Sequence, residues 1–309
     1  MKPGLKIAVT GKTGQVVTAL IERGAIAGHE IIALGRPELD LADPASVLRA
    51  IEAAKPDAVV SAAAYTAVDK AESERDLAFA VNGAGAGAVA QAAKALGVPL
   101  IHISTDYVFD GALDRPYVES DATSPTGVYG ASKLAGEEAV LSTYGENSAV
   151  LRVAWVYSPF GGNFVKTMLR LAGDRDEVGV VADQIGNPTS ALDIADGIIK
   201  VATNMVADSY PAMRGLFHMV GSRDASWADF AEAVFAASAA CGGPSARVNR
   251  IGSADYPTQA QRPANSRLDC GKIAQVHGVV LPGWQMSLPT IVARLLSVTV
   301  ARTDGEGRQ

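Results

Sequence analysis

The 309-residue chain is 48% hydrophobic and 19% charged, which excludes wholesale disorder and allows a large buried core. Its formal net charge of -6, without a cluster of Lys or Arg, argues against nucleic acid or an anionic membrane as the main partner. The two cysteines and four histidines lack metal-ligand spacing, and neither a signal peptide nor a long apolar run is found, so we expect a cytoplasmic protein without a bound metal.

Apolar runs alternate with helical patterns through the first two-thirds of the chain. The runs are continuously hydrophobic, as buried parallel strands are, and the alternation predicts an α/β fold with a doubly wound, Rossmann-like parallel sheet. Asp43-Pro44 marks the start of one helix, and Gly97 marks the end of the next. The predicted strands are 6–10, 30–34, 57–64, 99–105, 149–157 and 177–182, and the predicted helices include 44–54, 70–96, 129–145 and 163–172.

The pattern becomes less regular in the last third of the chain. An apolar run at 215–220, a helix at 226–241 and an apolar helix near 287–298 follow one another there. We therefore predict a nucleotide-binding Rossmann domain over residues 1–182, with some elements crossing over. Residues 183–309 are predicted to form mainly a smaller substrate-binding lobe and a C-terminal tail.

The first predicted strand leads into a glycine-rich turn that contains Gly11 and Gly14. Such a turn lets the backbone approach a pyrophosphate, whose charge the N-terminus of the next helix stabilises; a tight structural turn is the alternative. An acid that holds the ribose of NAD usually follows about 20 residues later. Here Arg36 stands at the end of the second strand, where it can pair with a 2′-phosphate, assisted by Lys12; a solvated arginine is the alternative. We therefore predict NADPH as the cofactor, with NADH as a second choice.

Two motifs further along carry residues suited to acid–base chemistry. Tyr129 and Lys133 are four residues apart, which puts both side chains on one face of a helix. A tyrosine with its ordinary pKa of about 10 is a weak acid–base group at neutral pH, and a nearby ammonium lowers that pKa. Thr105 closes a strand in STDYVFDG (104–111), where it can donate a hydrogen bond to the substrate oxygen that Tyr129 protonates. Ordinary turn chemistry and a solvated Tyr–Lys pair are the alternatives.

The glycine turn, Thr105 and the Tyr129-x-x-x-Lys133 motif resemble the extended short-chain dehydrogenase/reductase superfamily. Within it, stretches spread over nearly the whole chain are similar to the dTDP-4-dehydrorhamnose reductases. The stretches are GKTGQV (11–16), AAYTAVDKAE (63–72), STDYVFDG (104–111), YGASKLAGE (129–137), LRVAWVY (151–157), DQIGNPTSA (183–191) and RPANSRLD (262–269). The resemblance implies that NADPH reduces the 4-keto group of dTDP-6-deoxy-L-lyxo-4-hexulose to give dTDP-L-rhamnose. It also implies a small-molecule nucleotide-sugar substrate and either a monomer or a homodimer.

The resemblance assigns roles to individual residues around these motifs. Trp155 would pack against the sugar, with a core tryptophan as the alternative, and Asn187 and Arg262 would contact the nucleotide and its diphosphate. The implied catalytic residues are Thr105, Tyr129 and Lys133. The implied cofactor-binding residues are Gly11, Lys12, Thr13, Gly14, Gln15, Val16, Arg36, Ala62, Ala63, Ala64, Tyr65, Tyr129 and Lys133. The implied substrate-binding residues are Val68, Thr105, Asp106, Tyr107, Tyr129, Trp155, Asn187 and Arg262.

The chain departs from the family pattern in two places. Val17 stands where the glycine turn usually has a small residue. Ala19 and Ala191 stand where some members place glutamates that hold a magnesium ion between two subunits. We therefore expect no metal-bridged dimer.

Two other kinds of function compete with a reductase. Nucleotide-sugar dehydratases and epimerases share the fold and retain NAD, but dehydratases typically follow the strand-end threonine with Asp-Glu, whereas this chain has Asp106-Tyr107. A non-catalytic regulatory subunit, similar to the partner of methionine adenosyltransferase, need not keep the full catalytic set. Thr105, Tyr129 and Lys133 are all present, which favours an enzyme.

Overall fold

The computed structural model describes residues 4–306. Its first half contains β1 (Lys6–Thr10), α1 (Gln15–Ile26), β2 (Glu30–Leu34), α2 (Pro44–Ala54), β3 (Ala58–Ser61), α3 (Val68–Ala71), α4 (Arg75–Phe79), α5 (Gly85–Leu96), β4 (Leu100–Thr105), α6 (Val128–Tyr144) and β5 (Ser148–Val153). Its second half contains β6 (Val156–Tyr157), α7 (Phe164–Ala172), β7 (Glu177–Val181), β8 (Ile185–Gly186), β9 (Thr189–Ser190), α8 (Ala191–Ala207), β10 (Gly215–His218), β11 (Ala225–Ser226), α9 (Trp227–Ala240), β12 (Arg247–Ile251), α10 (Gly271–His277) and α11 (Trp284–Glu306).

Six parallel strands form the central sheet in the order β2-β1-β3-β4-β5-β10, which confirms the predicted doubly wound α/β fold. All residues of β3 and β5 are buried, as their continuous apolar runs require. The strand order reverses between β1 and β3, and ligands of such sheets bind outside the carboxyl ends at that point. The Thr10 hydroxyl fixes this edge, because it accepts hydrogen bonds of 3.0 Å from the amides of both Ala62 and Ala63.

The predicted signals for the start of α2 and the end of α5 are confirmed, but the helix predicted over 70–96 is not a single α-helix. Asp43 caps α2 by accepting from the Ala45 amide at 3.1 Å, and Gly97 ends α5 with φ of +69°. The single helix predicted over 70–96 is instead α3, α4, a π-helical segment at Ala80–Ala84 and α5. The wider segment carries Asn82, whose side chain is buried and bonds the backbone of the preceding loop.

The prediction that 177–182 belongs to the main sheet is wrong. β7 pairs with β12 in a separate two-stranded sheet, and β10 supplies the sixth strand of the central sheet. The reason lies in the burial pattern, since β7 alternates exposed and buried residues at its start. The run predicted over 149–157 also divides into β5 and β6, because Trp155 between them has φ of +48°, which no strand accommodates.

The last third of the chain contributes to two cores. α8 packs against α1 beside the central sheet, whereas α7, α9 and α11 surround a second core with β7 and β12. Ala19 and Ala191 are fully buried in the first of these cores. The domain ranges 1–182 and 183–309 stay predictions, and residues 1–3 and 307–309 of them lie outside the described residues.

Among the helices described over residues 4–306, none combines the length and the apolarity needed to cross a membrane.

Candidate active site

The turn between β1 and α1 is shaped to receive a pyrophosphate. Gly11 has φ of +102°, and a Cβ atom there would come within 3.2 Å of Val17 and 3.4 Å of Ala63, so only glycine fits without a shift. Gly14 caps α1 without a side-chain hydrogen bond, so no side chain covers the amides of the first turn. Free amides at a helix N-terminus bind anions, and the turn therefore fits a dinucleotide cofactor.

The end of β2 lies beside this turn and carries mixed charge. The Lys12 ammonium donates to the Arg36 carbonyl at 3.1 Å and to the Glu38 carboxylate at 2.5 Å. The hydrogen bond from Lys12 holds the pKa of Glu38 below its usual range. Arg36 itself is exposed at this edge, where the sequence predicted a contact with a 2′-phosphate.

The other predicted cofactor residues lie at the same edge, but two of their side chains are already engaged. The Gln15 amide oxygen accepts from Ser158 at 2.8 Å and from Asn163 at 3.1 Å. The Tyr65 hydroxyl donates to Glu74 at 2.7 Å. Thr13 lies on the loop that follows β1, and Val16 lies in the first turn of α1. Ala62, Ala63 and Ala64 lie on the loop that follows β3.

The three predicted catalytic residues come from β4 and α6. Thr105 is the last residue of β4, and Tyr129 lies near it on the first turn of α6. The Tyr107 ring contacts the Tyr129 ring edge-on, with 5.5 Å between centroids. Burial raises the pKa of Tyr129 to about 12, although the nearby Thr105 hydroxyl opposes the rise.

Lys133 does not lower the pKa of Tyr129 in the way the sequence predicted. Its ammonium donates to the Ile103 carbonyl at 2.7 Å, and the side chain is only 3% exposed. Burial lowers the pKa of Lys133 to about 8, because a charged group loses hydration in an apolar environment. The i, i+4 spacing correctly placed both residues on one helix, but a backbone carbonyl holds the ammonium.

Asp106 is a buried acid next to Thr105. Its side chain is 3% exposed, and its Oδ1 accepts from the Thr105 hydroxyl at 3.0 Å. Burial raises the pKa of Asp106 to about 6. The sequence predicted a substrate contact here, and the structure shows a carboxyl group that orients Thr105 from behind.

Two stacked tryptophan rings lie where the start of β6 meets the start of α9. Trp155 stacks on Trp227, with 3.5 Å between ring centroids and 4° between planes, and both rings are half-buried. Trp155 also packs on Gly186, where a Cβ atom would come within 2.5 Å of the indole. A left-handed backbone costs a bulky residue about 1–2 kcal/mol, so the packing around Trp155 holds it in a strained conformation.

The remaining predicted substrate residues fall into two groups. Arg262 reaches Asp69, next to Val68, with an Nη2–Oδ2 distance of 2.8 Å, and this bond lowers the pKa of Asp69. Asn187 is 7% exposed, and its amide bonds the backbone of Gly221 and Leu268. Asn187 therefore braces two loops, and its contact with a nucleotide stays a prediction.

Within residues 4–306, no group of three His, Cys, Asp or Glu side chains is placed to hold a metal ion. Burial lowers the pKa of His102, His218 and His277, which keeps these rings neutral. Cys241 and Cys270 are both free thiols.

Residues 5–297 match the family model of the RmlD substrate binding domain. The chain belongs to this family. A dTDP-4-dehydrorhamnose reductase of Sinorhizobium fredii is 52% identical over 94% of this chain and 98% of its own length. A solved dTDP-4-dehydrorhamnose reductase of Clostridium acetobutylicum is 34% identical, with a TM-score of 0.87 over 94% of this chain and 99% of that one. The Bacillus anthracis enzyme of the same name, solved in complex with NADP, is 33% identical, with a TM-score of 0.85 over 93% of this chain and 98% of that one.

In this RmlD-family chain, the sequence reasoning missed three residues that shape the site. Glu137 ends the YGASKLAGE stretch four residues after Lys133, and that spacing was a signal that could have been used. Asp69 adjoins Val68 and pairs with Arg262 from a distant segment. Trp227 reaches Trp155 across 72 positions of the sequence, and no local pattern indicates that contact.

Proposed function

We propose that the protein is a dTDP-4-dehydrorhamnose reductase, which uses NADPH to reduce dTDP-6-deoxy-L-lyxo-4-hexulose to dTDP-L-rhamnose. The observation that carries this proposal is the placement of Thr105 and Tyr129 close together at the carboxyl edge of the sheet, beside a glycine turn in which Gly11 has a positive φ. The relatives support the proposal, because those named dTDP-4-dehydrorhamnose reductase match this chain over nearly their whole length.

NADPH would lie across the carboxyl ends of β1 and β3. The amides that follow Gly11 and Gly14 would hold its pyrophosphate, and Arg36 with Lys12 would meet its 2′-phosphate. The Lys133 ammonium has three donors, and those not engaged by Ile103 and His102 would hold the nicotinamide ribose. When bound, NADPH supplies the hydride that is added to C4 of the sugar.

Tyr129 supplies the proton in this reaction. A phenol with a pKa of about 12 keeps its proton at neutral pH and gives it up only to a stronger base. The carbonyl oxygen at C4 becomes such a base as negative charge grows on it. Thr105 lies beside Tyr129 and is oriented by its hydrogen bond to Asp106, so both hydroxyls would meet the carbonyl oxygen at one position.

The substrate would lie between α6 and the second core. The Trp155–Trp227 stack provides a flat apolar surface for one face of the sugar. Arg262 provides a positive charge for the diphosphate, and its ion pair with Asp69 offsets part of that charge. The proposal includes a cytoplasmic location and a monomer or homodimer. Tyr107 stands where dehydratases typically carry a glutamate, so the site lacks the acid–base pair for loss of water.

The test is to follow NADPH absorbance after addition of the dTDP-4-keto-6-deoxy-L-sugar. We expect steady oxidation by the wild-type protein, and in Tyr129→Phe a fall in kcat of roughly 10²–10⁴-fold with NADPH still bound. Tyr144→Phe is the matched control, because Tyr144 is a buried tyrosine at the other end of α6 and its hydroxyl accepts from the nearby Asn147. No oxidation above background by the wild type would overturn the proposal, and normal turnover in Tyr129→Phe would overturn the assigned acid.

A further inference from the structure

A buried ion pair lies behind the catalytic residues. Glu137 and Arg152 are each 2% exposed, and the guanidinium donates twice to the carboxylate, at 2.9 and 2.7 Å. The Ser104 hydroxyl donates to the same carboxylate at 2.5 Å. Apolar residues of similar volume often stabilise a core as well as a buried ion pair does. Stability alone therefore gives no reason for this pair, and its surroundings suggest another role.

The pair is connected to the active site from two sides. Glu137 lies one helical turn after Lys133 on α6, and its negative charge raises the pKa of Lys133 against the effect of burial. Ser104 directly precedes Thr105 on β4. The carboxylate therefore contacts the strand that carries the threonine and acts on the lysine from the same helix.

Other charged groups around Lys133 do not replace this carboxylate. His102 Nε2 lies 3.5 Å from the ammonium, but burial keeps that ring neutral. His218 on β10 faces Arg152 and is also neutral. The titratable and charged groups on α6, apart from Lys133, are Tyr129, Glu137, Glu138 and Tyr144. Those on the segments packed against α6 are Asp69, Lys70, Glu72, Arg75, Asp76, Lys94, His102, Asp106, Tyr107, Glu146 and Arg152. Among these described groups, Glu137 is the one whose charge favours the ammonium form of Lys133.

We propose that Glu137 is a positioning residue for the reduction: fixed by Arg152 and Ser104, its carboxylate keeps Lys133 in the ammonium form. Arg152 acts indirectly, because its two hydrogen bonds hold the carboxylate in place. The inference rests on the proposed function, in which the ammonium holds the cofactor and adjoins the proton donor.

The test is the pH dependence of Glu137→Gln. Loss of the carboxylate lets Lys133 lose its proton at lower pH; for a shift of about one unit, the ammonium fraction near pH 8 falls from about one half to about one tenth. We expect kcat and NADPH affinity close to the wild type near pH 6, and roughly fivefold lower values than the wild type near pH 8. Glu138→Gln is the matched control, since it removes the same charge from an exposed neighbour on α6. Glu137→Asp keeps the charge and should keep the wild-type profile.

A purely structural role predicts a different result. In that case Glu137→Gln would lower the melting temperature, but the alkaline limb of the pH profile of kcat, measured on the folded protein, would not move. This outcome would overturn the proposal. If the single variant does not fold, Glu137→Gln/Arg152→Met carries the test, because it leaves no unpaired buried ion. Its alkaline limb should move in the same direction by a smaller amount, and an unmoved limb would again overturn the proposal. NADPH affinity needs no sugar, so a wild type inactive on the sugar would count against the proposed function alone.

Discussion

Replacing Asp106 by Asn should stabilise the protein at neutral pH and have little effect in acid. The side chain is 3% exposed, and burial raises its pKa from 3.8 to about 6. The native carboxyl therefore binds its proton more tightly than the unfolded one does. Its contribution to stability is fully present below pH 3.8 and is lost as the pH rises through about 6.

The size of this effect follows from the shift itself. Each pKa unit corresponds to about 1.4 kcal/mol, so ionising Asp106 in the native protein costs about 3 kcal/mol of unfolding free energy above pH 6. Asn has nearly the same shape and still offers an oxygen to the Thr105 hydroxyl, so the variant removes the charge and keeps the hydrogen bond.

Urea unfolding of both proteins at about pH 4 and about pH 7.5 measures the difference. The difference in unfolding free energy between Asp106→Asn and the wild type should be larger at pH 7.5 than at pH 4, by up to about 3 kcal/mol in favour of the variant. Asp110→Asn is the control of opposite sign, because bonds from the Ala112 amide and the Tyr117 hydroxyl lower the pKa of Asp110. A gain for Asp106→Asn that is equal at both pH values would refute the reasoning.

Three further substitutions test other parts of the structure. Arg36→Ala should weaken NADPH binding about tenfold or more and leave NADH binding nearly unchanged, because only NADPH offers a 2′-phosphate; equal losses would exclude Arg36 as the discriminating residue. Trp227→Ala should raise KM for the sugar without changing the NADPH Kd, since Trp155 loses its stacking partner; unchanged KM would show that the pair belongs to the core. Gly111→Ala should cost more than about 2 kcal/mol in urea unfolding, because φ is +77° and the new carbon would lie 2.6 Å from a proline carbon, whereas Gly145→Ala has open space and should be neutral.

Local sequence patterns were enough to bring the main site residues together. Gly11 follows the buried strand β1 and Thr105 ends the buried strand β4, and the carboxyl ends of parallel strands lie at one edge of a sheet. The spacing of Tyr129 and Lys133 then placed both on α6. No contact had to be known in advance, because strand direction and helix periodicity determine these positions.

Partnerships between distant segments could not be predicted in this way. Trp227 stacks on Trp155, and Arg152 pairs with Glu137, only because β6, α9, β5 and α6 meet in the folded protein. The exchange of β7 for β10 in the central sheet has the same origin. Both segments read as apolar runs, and only tertiary packing decides which one is covered on two faces.

The burial of Tyr129 and Lys133, which the sequence did not predict, also affects whether the site favours reduction or oxidation of the substrate. Removal from water disfavours charge on both key groups, so it raises the pKa of Tyr129 to about 12 and lowers that of Lys133 to about 8. A phenol in that state is a poor base at neutral pH and therefore a poor group for taking a proton from an alcohol. It is a suitable donor to the strongly basic oxygen that forms when a carbonyl accepts hydride. The same desolvation thus favours ketone reduction over alcohol oxidation at neutral pH. The negative charge of Glu137 limits how far desolvation lowers the pKa of Lys133.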